Sequence, residues 1–530
     1  MLFVEGGKIG AGGKKHQGYA NDEYRLKVND IRILNKNHRK KLGVLLIFCV
    51  FIGMSLLPQL SPQELNTQTS EMEYTDWWTS FHHDQRNTGQ SSSPTPEQSY
   101  YHWNFTTTDK IWSSPSLVSG RLYVGSWDHY LYCLDAESGE LIWKFMTGHI
   151  IYSTPAIELG RVYVGSLDQR LYCLDAESGE LIWKYSAGGS IWSSPIIVGG
   201  KVYLGSDDHN VHCIDANSGD IIWKYTTDGN VWSSPAVTDG NVYVGSYDYK
   251  LYCLDAESGE QNWNYSTNGS IWSSPSVAYG KVYVASEDHT IYCLDASNGG
   301  ENWKYTLGNN VYSSPAVADG RVYVGSWDNK LYCFNAENGS VIWSFTTGGK
   351  VHSSPAVADG KVYVGSDDHK LYCLDAFRGD KLWEYSTGGN VHSSPAVSDG
   401  KVFVGSEDNK MYCFGENQPP DNPIVTYNKV TDDLKIKSTD PNGNQIRYGV
   451  SWDDDNKVDY YTEFTTSGTE LKVDCDGRDG PIGVIAEDEY GAQSQWISQH
   501  SKKNTLTYHH IFEKYASLFF FLRQFIQMIK

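Results

Sequence analysis

Eight near-identical copies of a 40-residue unit fill residues 101–414, and this period constrains the fold more than any other feature of the chain. Ser-Ser-Pro recurs with its first serine at 113, 193, 233, 273, 313, 353 and 393, and Ser-Thr-Pro stands at 153. Cysteine recurs at 133, 173, 213, 253, 293, 333, 373 and 413. A repeat of this length made of short β-rich runs is the pattern of a propeller blade. The unit beginning at Ile111 divides into runs at Ile111–Val118, Arg121–Ser126, Tyr130–Asp135 and Leu141–Thr147, separated by Ser-Gly, Asp-His and Glu-Ser-Gly turns. Each unit therefore reads as a four-stranded antiparallel blade. Strand alternation puts Leu131 and Cys133 on one face and Tyr132 and Leu134 on the other, so both faces are apolar, as stacking between neighbouring blades requires.

The tryptophans show how the ring closes. A fourth-strand Trp stands at 143, 183, 223, 263, 303, 343 and 383, is missing near 423, and reappears at Trp103. Residues 101–107 are therefore expected to supply the outer strand that the last unit lacks. Closure by both ends of the repeat array leaves no open sheet edge in the ring.

The first four units carry Cys-x-Asp-x-x-Ser-Gly-x-x-x-Trp, as in Cys133, Asp135, Ser138, Gly139 and Trp143, and the next three keep its Cys, Gly and Trp. This closely resembles the Ala-x-Asp-x-x-Thr-Gly-x-x-x-Trp signature of the quinoprotein, or PQQ-type, propeller repeat, and the resemblance covers residues 101–416. The stretch from Asp76 through Trp77, Trp78, His82, His83 and Asp84 to Thr88 and Gly89 is similar to the lead-in of such proteins. The family contains quinone-dependent alcohol dehydrogenases, the non-enzymatic BamB subunit of the outer-membrane barrel assembly machinery, and surface proteins. Fold membership does not choose among them. A calcium-dependent quinoprotein dehydrogenase implies an adjacent Cys-Cys pair over the quinone, and insertions bearing a catalytic Asp and calcium ligands. This chain has neither. Catalysis needs unlike residues in unlike roles, and the repeats are nearly uniform. We therefore expect no catalytic residues and no cofactor, with PQQ plus calcium as the alternative.

The termini bear on location. Residues 1–41 carry ten Lys/Arg against four Asp/Glu and precede the uncharged run Leu42–Leu57. That run falls between a signal-peptide core and a membrane helix of roughly 20 residues. Its basic flank and the absence of an Ala-x-Ala site favour an uncleaved anchor over a cleaved signal, with the propeller outside the cytoplasm. The net charge is −21, which leaves −27 beyond the basic arm. Such an acidic exterior excludes nucleic acid as a natural partner and suits cations or a basic partner.

Strand polarity gathers two rings of residues on one face of the disc. The first is the residue before each Ser-Ser-Pro: Trp112, Tyr152, Trp192, Trp232, Trp272, Tyr312, His352 and His392. It is the candidate ligand-binding rim, although aromatics here also serve as packing between blades. The second is the loop Asp at 128, 168, 208, 248, 288, 328, 368 and 408, with His beside it at 129, 209, 289 and 369. An Asp in a hairpin connection ordinarily bonds its own backbone. Histidines in alternate blades lie too far apart to share a metal. The eight equivalent cysteines sit where the family has Ala, too far apart for disulfides, and read as small buried side chains.

Beyond a linker at 417–424, residues 425–500 alternate as a small β-sandwich. Strand runs fall at Asp433–Ser438, Gln445–Trp452, Glu470–Val473 and Gly483–Ala486. Asp440-Pro-Asn-Gly-Asn, Trp452-Asp-Asp-Asp and Glu487-Asp-Glu-Tyr-Gly resemble PKD/Ig-like domains of microbial surface proteins. Asp453, Asp455 and Asp459 have the spacing of a calcium loop, with Lys457 and a missing glycine counting against it. His82-His83-Asp84 is a weaker metal candidate, because further ligands would have to converge on it.

The expected fold is all-β, an eight-bladed propeller of four-stranded blades plus an Ig-like sandwich and an N-terminal membrane helix. The expected organisation is a basic cytoplasmic arm at 1–41, a transmembrane anchor or signal at 42–60, a lead-in or linker at 61–100, the propeller at 101–416, the linker at 417–424, the sandwich at 425–500, and a hydrophobic tail of uncertain role at 501–530. The expected role is a membrane-anchored binding or scaffolding protein with a protein or glycan partner at the cell surface. A quinone-dependent dehydrogenase and a BamB-like assembly factor are the alternatives.

Overall fold

The computed structural model describes residues 76–428, 433–452, 456–475 and 481–500. The basic arm, the apolar run 42–57, Asp453, Asp455 and the tail 501–530 lie outside the described residues. The described residues are all-β, with no helix, and the repeats form antiparallel sheets in a propeller-like fold. The strands preceding the first unit are β1 (Gln90–Ser91) and β2 (Tyr100–Thr106). The unit itself gives β3 (Ser116–Val118), β4 (Arg121–Gly125), β5 (Tyr130–Asp135) and β6 (Leu141–Met146), hydrogen-bonded in that order. The same order recurs in each following repeat. In the last sheet Ala396–Ser398, Lys401–Gly405 and Lys410–Gly415 are completed on the outside by β2, which pairs antiparallel with Lys410–Gly415.

Alternate faces of each sheet pack against different neighbours. Tyr123, Leu131 and Cys133 meet Val162, Val164 and Tyr172 of the next sheet, whereas Tyr132 and Leu134 meet the sheet closed by Trp103. The eight repeat cysteines form no disulfides and are buried in such seams, and Cys475 is buried in the core of the C-terminal sheets. Burial pushes the Cys133 thiol up to about 12.

The structure gives a mechanical meaning to the Asp-x-x-Ser-Gly-x-x-x-Trp run. Asp135 Oδ1 accepts the backbone N–H groups of Glu137 and Ser138, which shapes a turn ending at Gly139 with φ 72°. A Cβ on Gly139 would fall 2.5 Å from the Trp103 ring, so the preceding blade's indole lies directly on this glycine. The same indole donates its N–H to the Ala136 carbonyl at 3.2 Å. Trp143 repeats the clasp on Ala176 and Gly179, and Trp343 on Ala376 and Gly379. The last unit has no such turn after Cys413. Trp383 Nε1 and the Tyr363 hydroxyl, which would reach its carbonyl, are accordingly buried without partners.

The innermost strand is shorter than the expected Ile111–Val118, covering only Ser116–Val118. Proline at 115 has no N–H to donate to a ladder, and the serines before it bond outside one. Ser113 Oγ accepts the Gly125 N–H at 3.2 Å and donates to the Ser153 carbonyl of the next blade at 3.0 Å. The second serine builds a belt around the channel: the N–H of Ser194 donates to Ser234 Oγ, that of Ser234 to Ser274 Oγ, and so on to Ser394 and Ser114. Hydroxyls thus replace a ladder where the sheets converge.

The described part of the lead-in is bonded to the propeller. Residues 78–91 lie across one end of the channel and cap the exposed edges of the inner strands. The N–H groups of Leu117, Ile157, Val237, Val277, Val317 and Val357 donate to the carbonyls of Trp78, Thr79, Gln85, Arg86, Thr88 and Gly89 at 2.7–2.9 Å. β1 adds to Ala356–Ala358 as a parallel fifth strand. Asn87, 1% exposed, donates through Nδ2 to the carbonyls of Pro235 and Pro275, each at 3.2 Å. Unpaired inner edges are costly when buried, and the plug satisfies them.

The C-terminal residues form two antiparallel sheets around one core. One holds Ile424–Asn428, Asp433–Lys437 and Leu471–Asp474, and the other Tyr460–Tyr461, Ile446–Ser451, Pro481–Asp488 and Ile497–His500. Leu434, Ile436, Tyr448, Val450 and Val484 share that core. The strand at Ile424 begins inside the expected linker, and the preceding residues are tied down rather than free. Asn417 Nδ2 donates to Asp488, and the Gln418 N–H donates to Asn442 Oδ1 at 2.7 Å.

Candidate functional site

All eight rim residues converge on the end of the channel opposite the plug. Each sits directly before the first serine of Ser-Ser-Pro or Ser-Thr-Pro, so the turn into the inner strand aims its ring at the axis. Neighbouring rings touch all the way round. Centroid separations run from 5.8 Å for Trp112 and Tyr152 through 5.1 Å for Trp192 and Trp232 and 4.6 Å for Trp232 and Trp272 to 4.6 Å for His392 and Trp112. They also reach across the channel: Tyr152 lies 6.4 Å from Trp272, and Trp112 lies 6.4 Å from His352. These are edge-to-face and offset distances at which aromatic pairs attract. The rim is therefore a closed iris, each ring half-buried, and not simply core between blades.

Beneath the iris lies a cavity of about 60 Å³ walled by the second hydroxyl residue of every repeat and floored by Phe81 of the plug. It has room for a few waters. Burial, with His392 beside it, holds the His352 imidazole down to about 3, so that ring is neutral at any working pH. Burial likewise pushes the Tyr152 phenol above its ordinary range.

Above the iris stands a collar of carboxylates that belongs to none of the repeat's motifs. Trp112 Nε1 donates to Glu407 Oε1 at 2.8 Å. Asp207 takes the indole N–H of Trp192 at 3.2 Å and that of Trp232 as well. His392 Nε2 meets Asp367 Oδ1 at 2.6 Å, and its Nδ1 lies 3.5 Å from Glu407. These acids, with Glu287, occupy the position that holds Trp127, Leu167, Tyr247 and Trp327 in the other repeats. That position changes between aromatic, aliphatic and acidic from copy to copy, and that variation is visible when the repeats are aligned.

The loop aspartates are structural ties. Asp128 Oδ1 accepts the Tyr130 N–H, while Oδ2 accepts the Tyr132 hydroxyl at 2.8 Å and the Thr108 N–H at 3.0 Å. The neighbouring His129, His209, His289 and His369 occupy a left-handed turn position with φ between 65° and 73°, which Gln, Tyr or Asn fills in the other blades. His82, His83 and Asp84 point to separate partners, respectively the Asn87 carbonyl, Asp76 and Thr88. In the C-terminal sheets Asp459 Oδ2 accepts the Trp452 N–H at 2.8 Å, and its proposed co-ligands Asp453 and Asp455 lie outside the described residues. Among the described residues no three acidic, histidine or cysteine side chains are grouped as metal ligands would be.

Comparison with known proteins shows the kind of repeat. The model of the β-propeller of β-alanine-activating enzyme matches residues 158–320 and 202–414, and that of the outer membrane protein assembly factor BamB matches residues 84–206. The crystal structure of BamB from Moraxella catarrhalis superposes with a TM-score of 0.53 at 18% identity, covering 59% of this chain and 99% of that one. Quinohemoprotein alcohol dehydrogenase from Comamonas testosteroni superposes with a TM-score of 0.58 at 15% identity, covering 67% and 84%. A europium-containing methanol dehydrogenase gives 0.56 at 13% identity, covering 64% and 98%. No curated protein sequence matches the chain significantly. The chain thus carries PQQ- and BamB-like propeller repeats, in a fold shared by an assembly factor and by dehydrogenases.

Proposed function

We propose that this chain is a non-catalytic binding or scaffolding protein, an eight-bladed propeller with a C-terminal PKD/Ig-like unit. It is anchored in the membrane through residues 42–57 and displayed outside the cytoplasm. Its contact surface for a protein or glycan at the cell surface is the aromatic mouth. The observation that carries this reading is the double closure of the channel. Pockets for cofactor-sized ligands run from about 300 to 1,000 Å³. The space between iris and plug is about 60 Å³, so a tricyclic quinone does not fit there unless the whole iris moves. The mouth instead offers its aromatic rings and carboxylates outward, as a surface for contact rather than a pocket for chemistry. The collar of mixed aromatic, aliphatic and acidic residues adds the copy-to-copy variation that partner recognition requires and a purely structural ring does not.

The test is a titration of the full-length protein with pyrroloquinoline quinone and calcium, followed by thermal shift and dye-coupled alcohol oxidation. We expect neither a saturable shift nor turnover. Saturable stabilisation with turnover would replace the binding reading with that of a quinoprotein dehydrogenase.

A further inference from the structure

The two halves of the mouth differ in where their positive charge comes from. On one side the protein supplies its own. Lys350 Nζ stands 3.8 Å above the Trp327 ring, and Lys110 Nζ lies 5.6 Å from the Trp127 ring and 3.3 Å from Glu407. His392 sits between Asp367 and Glu407. Ammonium groups over aromatic faces and beside carboxylates are the geometry of cation–π recognition.

On the opposite side the same chemistry is present without the cation. Trp232 packs 4.4 Å from Tyr247 and 4.6 Å from Trp272, and Tyr247 lies 6.3 Å from Trp272, which makes a three-ring wall. Asp207 stands at one side of this wall, bonded to the Trp232 indole, and Glu287 at the other. Burial, then Glu287, and less strongly Asp207, push the Tyr247 phenol above its ordinary range, so both carboxylates act on this ring. No Lys, Arg or His among the described residues forms an ion pair with Asp207 or Glu287, and the residues at the place of Lys350 are here Asn230, Ser270 and Asn310.

We infer that the sector between Asp207 and Glu287 is a recognition site for a cationic side chain, lysine or arginine, presented by a partner polypeptide. The inference rests on the mouth being a binding surface, and it specifies the chemistry of what binds. An ammonium set against the Trp232, Tyr247 and Trp272 wall would reproduce what Lys350 does at Trp327, with two carboxylates to neutralise. The charge of −21 adds long-range attraction for a basic segment.

The probe is choline with its uncharged isostere 3,3-dimethylbutanol, titrated into the full-length protein and followed by intrinsic tryptophan fluorescence and saturation-transfer NMR. We expect choline to bind at least about tenfold more tightly than the alcohol. The preference should disappear in the double variant Asp207→Asn, Glu287→Gln. Should that variant fold poorly, Tyr247→Leu, which removes one wall and no charge, should weaken choline more than the alcohol. Equal affinity for the two probes, absence of binding by both, or a preference that survives in the variants would overturn the inference. Equal affinity would leave an apolar contact surface intact, whereas the binding reading itself falls only to quinone turnover.

Discussion

The belt and the mouth are adjacent layers of one channel, set by neighbouring residues of the same repeat, and they obey opposite rules. At the belt every copy places a hydroxyl, and from Ser194 round to Ser114 the serine hydroxyl of each blade holds the backbone of the one before it. Two residues earlier, and again in the loop beside it, the chain places Trp, Tyr or His, and Trp, Leu, Asp, Tyr or Glu. Belt positions are buried and bonded within the protein, so one chemical solution serves every blade. Mouth positions are half-buried and face outward, where the fold tolerates many residues. In a chain of near-identical repeats, departure from the repeat is what marks a surface with a use, and invariance marks a joint.

The largest effect that distinguishes these layers is expected from acid, since each end of the channel holds a neutral histidine. Burial keeps His82 of the plug down to about 4 and His352 of the iris down to about 3, against an ordinary 6.5. Below 6.5 the unfolded chain takes up protons that the folded chain refuses. Stability is therefore full above that value and falls as pH drops toward 4 for His82 and 3 for His352. At about 1.4 kcal/mol per pH unit for each ring, the loss between pH 6.5 and 4 is on the order of 5 kcal/mol. Urea melts at pH 7, 5.5 and 4 measure it. His352→Tyr, which copies Tyr152 and Tyr312, should remove roughly half the slope, and an unchanged slope would show that His352 is not the buried neutral ring described.

A smaller effect tests the foot of the channel. Asn87→Ala strips the carbonyls of Pro235 and Pro275 of their donor and puts alanine at φ 54°. We expect a loss of about 3 kcal/mol in the urea midpoint analysis. A loss below about 0.5 kcal/mol would mean the plug is not part of the cooperative fold.

What could be read from the sequence, and what could not, follows the same division. Strand runs, the register of Trp103 and the turn ending at Gly139 announce themselves because they recur, and the C-terminal strands around Leu434 and Val484 do so by alternation. The plug was invisible because it works mainly through main-chain carbonyls from Trp78 to Gly89, which any sequence possesses, and because it occurs once. The rim aromatics could be assigned to one face by strand polarity. Their closure into an iris could not, because it depends on the width of the ring and on side chains meeting across it. The acids at 207, 287, 367 and 407 were passed over because no motif contains them, although they lie in plain register with Trp127 and Tyr247.

The smallest effects make the sharpest comparison of the two layers. Ser274→Ala removes the acceptor for the buried Ser234 N–H, which now sits 2.9 Å from Ser274 Oγ. An orphaned buried donor costs about 2 kcal/mol. Glu287→Gln, one blade layer above, changes a half-buried carboxylate that no lysine or arginine pairs with, and should move stability by no more than about 0.5 kcal/mol. Equilibrium unfolding of both variants under one buffer decides the matter. If Glu287→Gln were as damaging as Ser274→Ala, the collar would be a second structural belt, and its variation between blades would need a packing explanation. If the two separate as expected, Glu287 is present for something the fold itself does not require, and that something lies outside the chain.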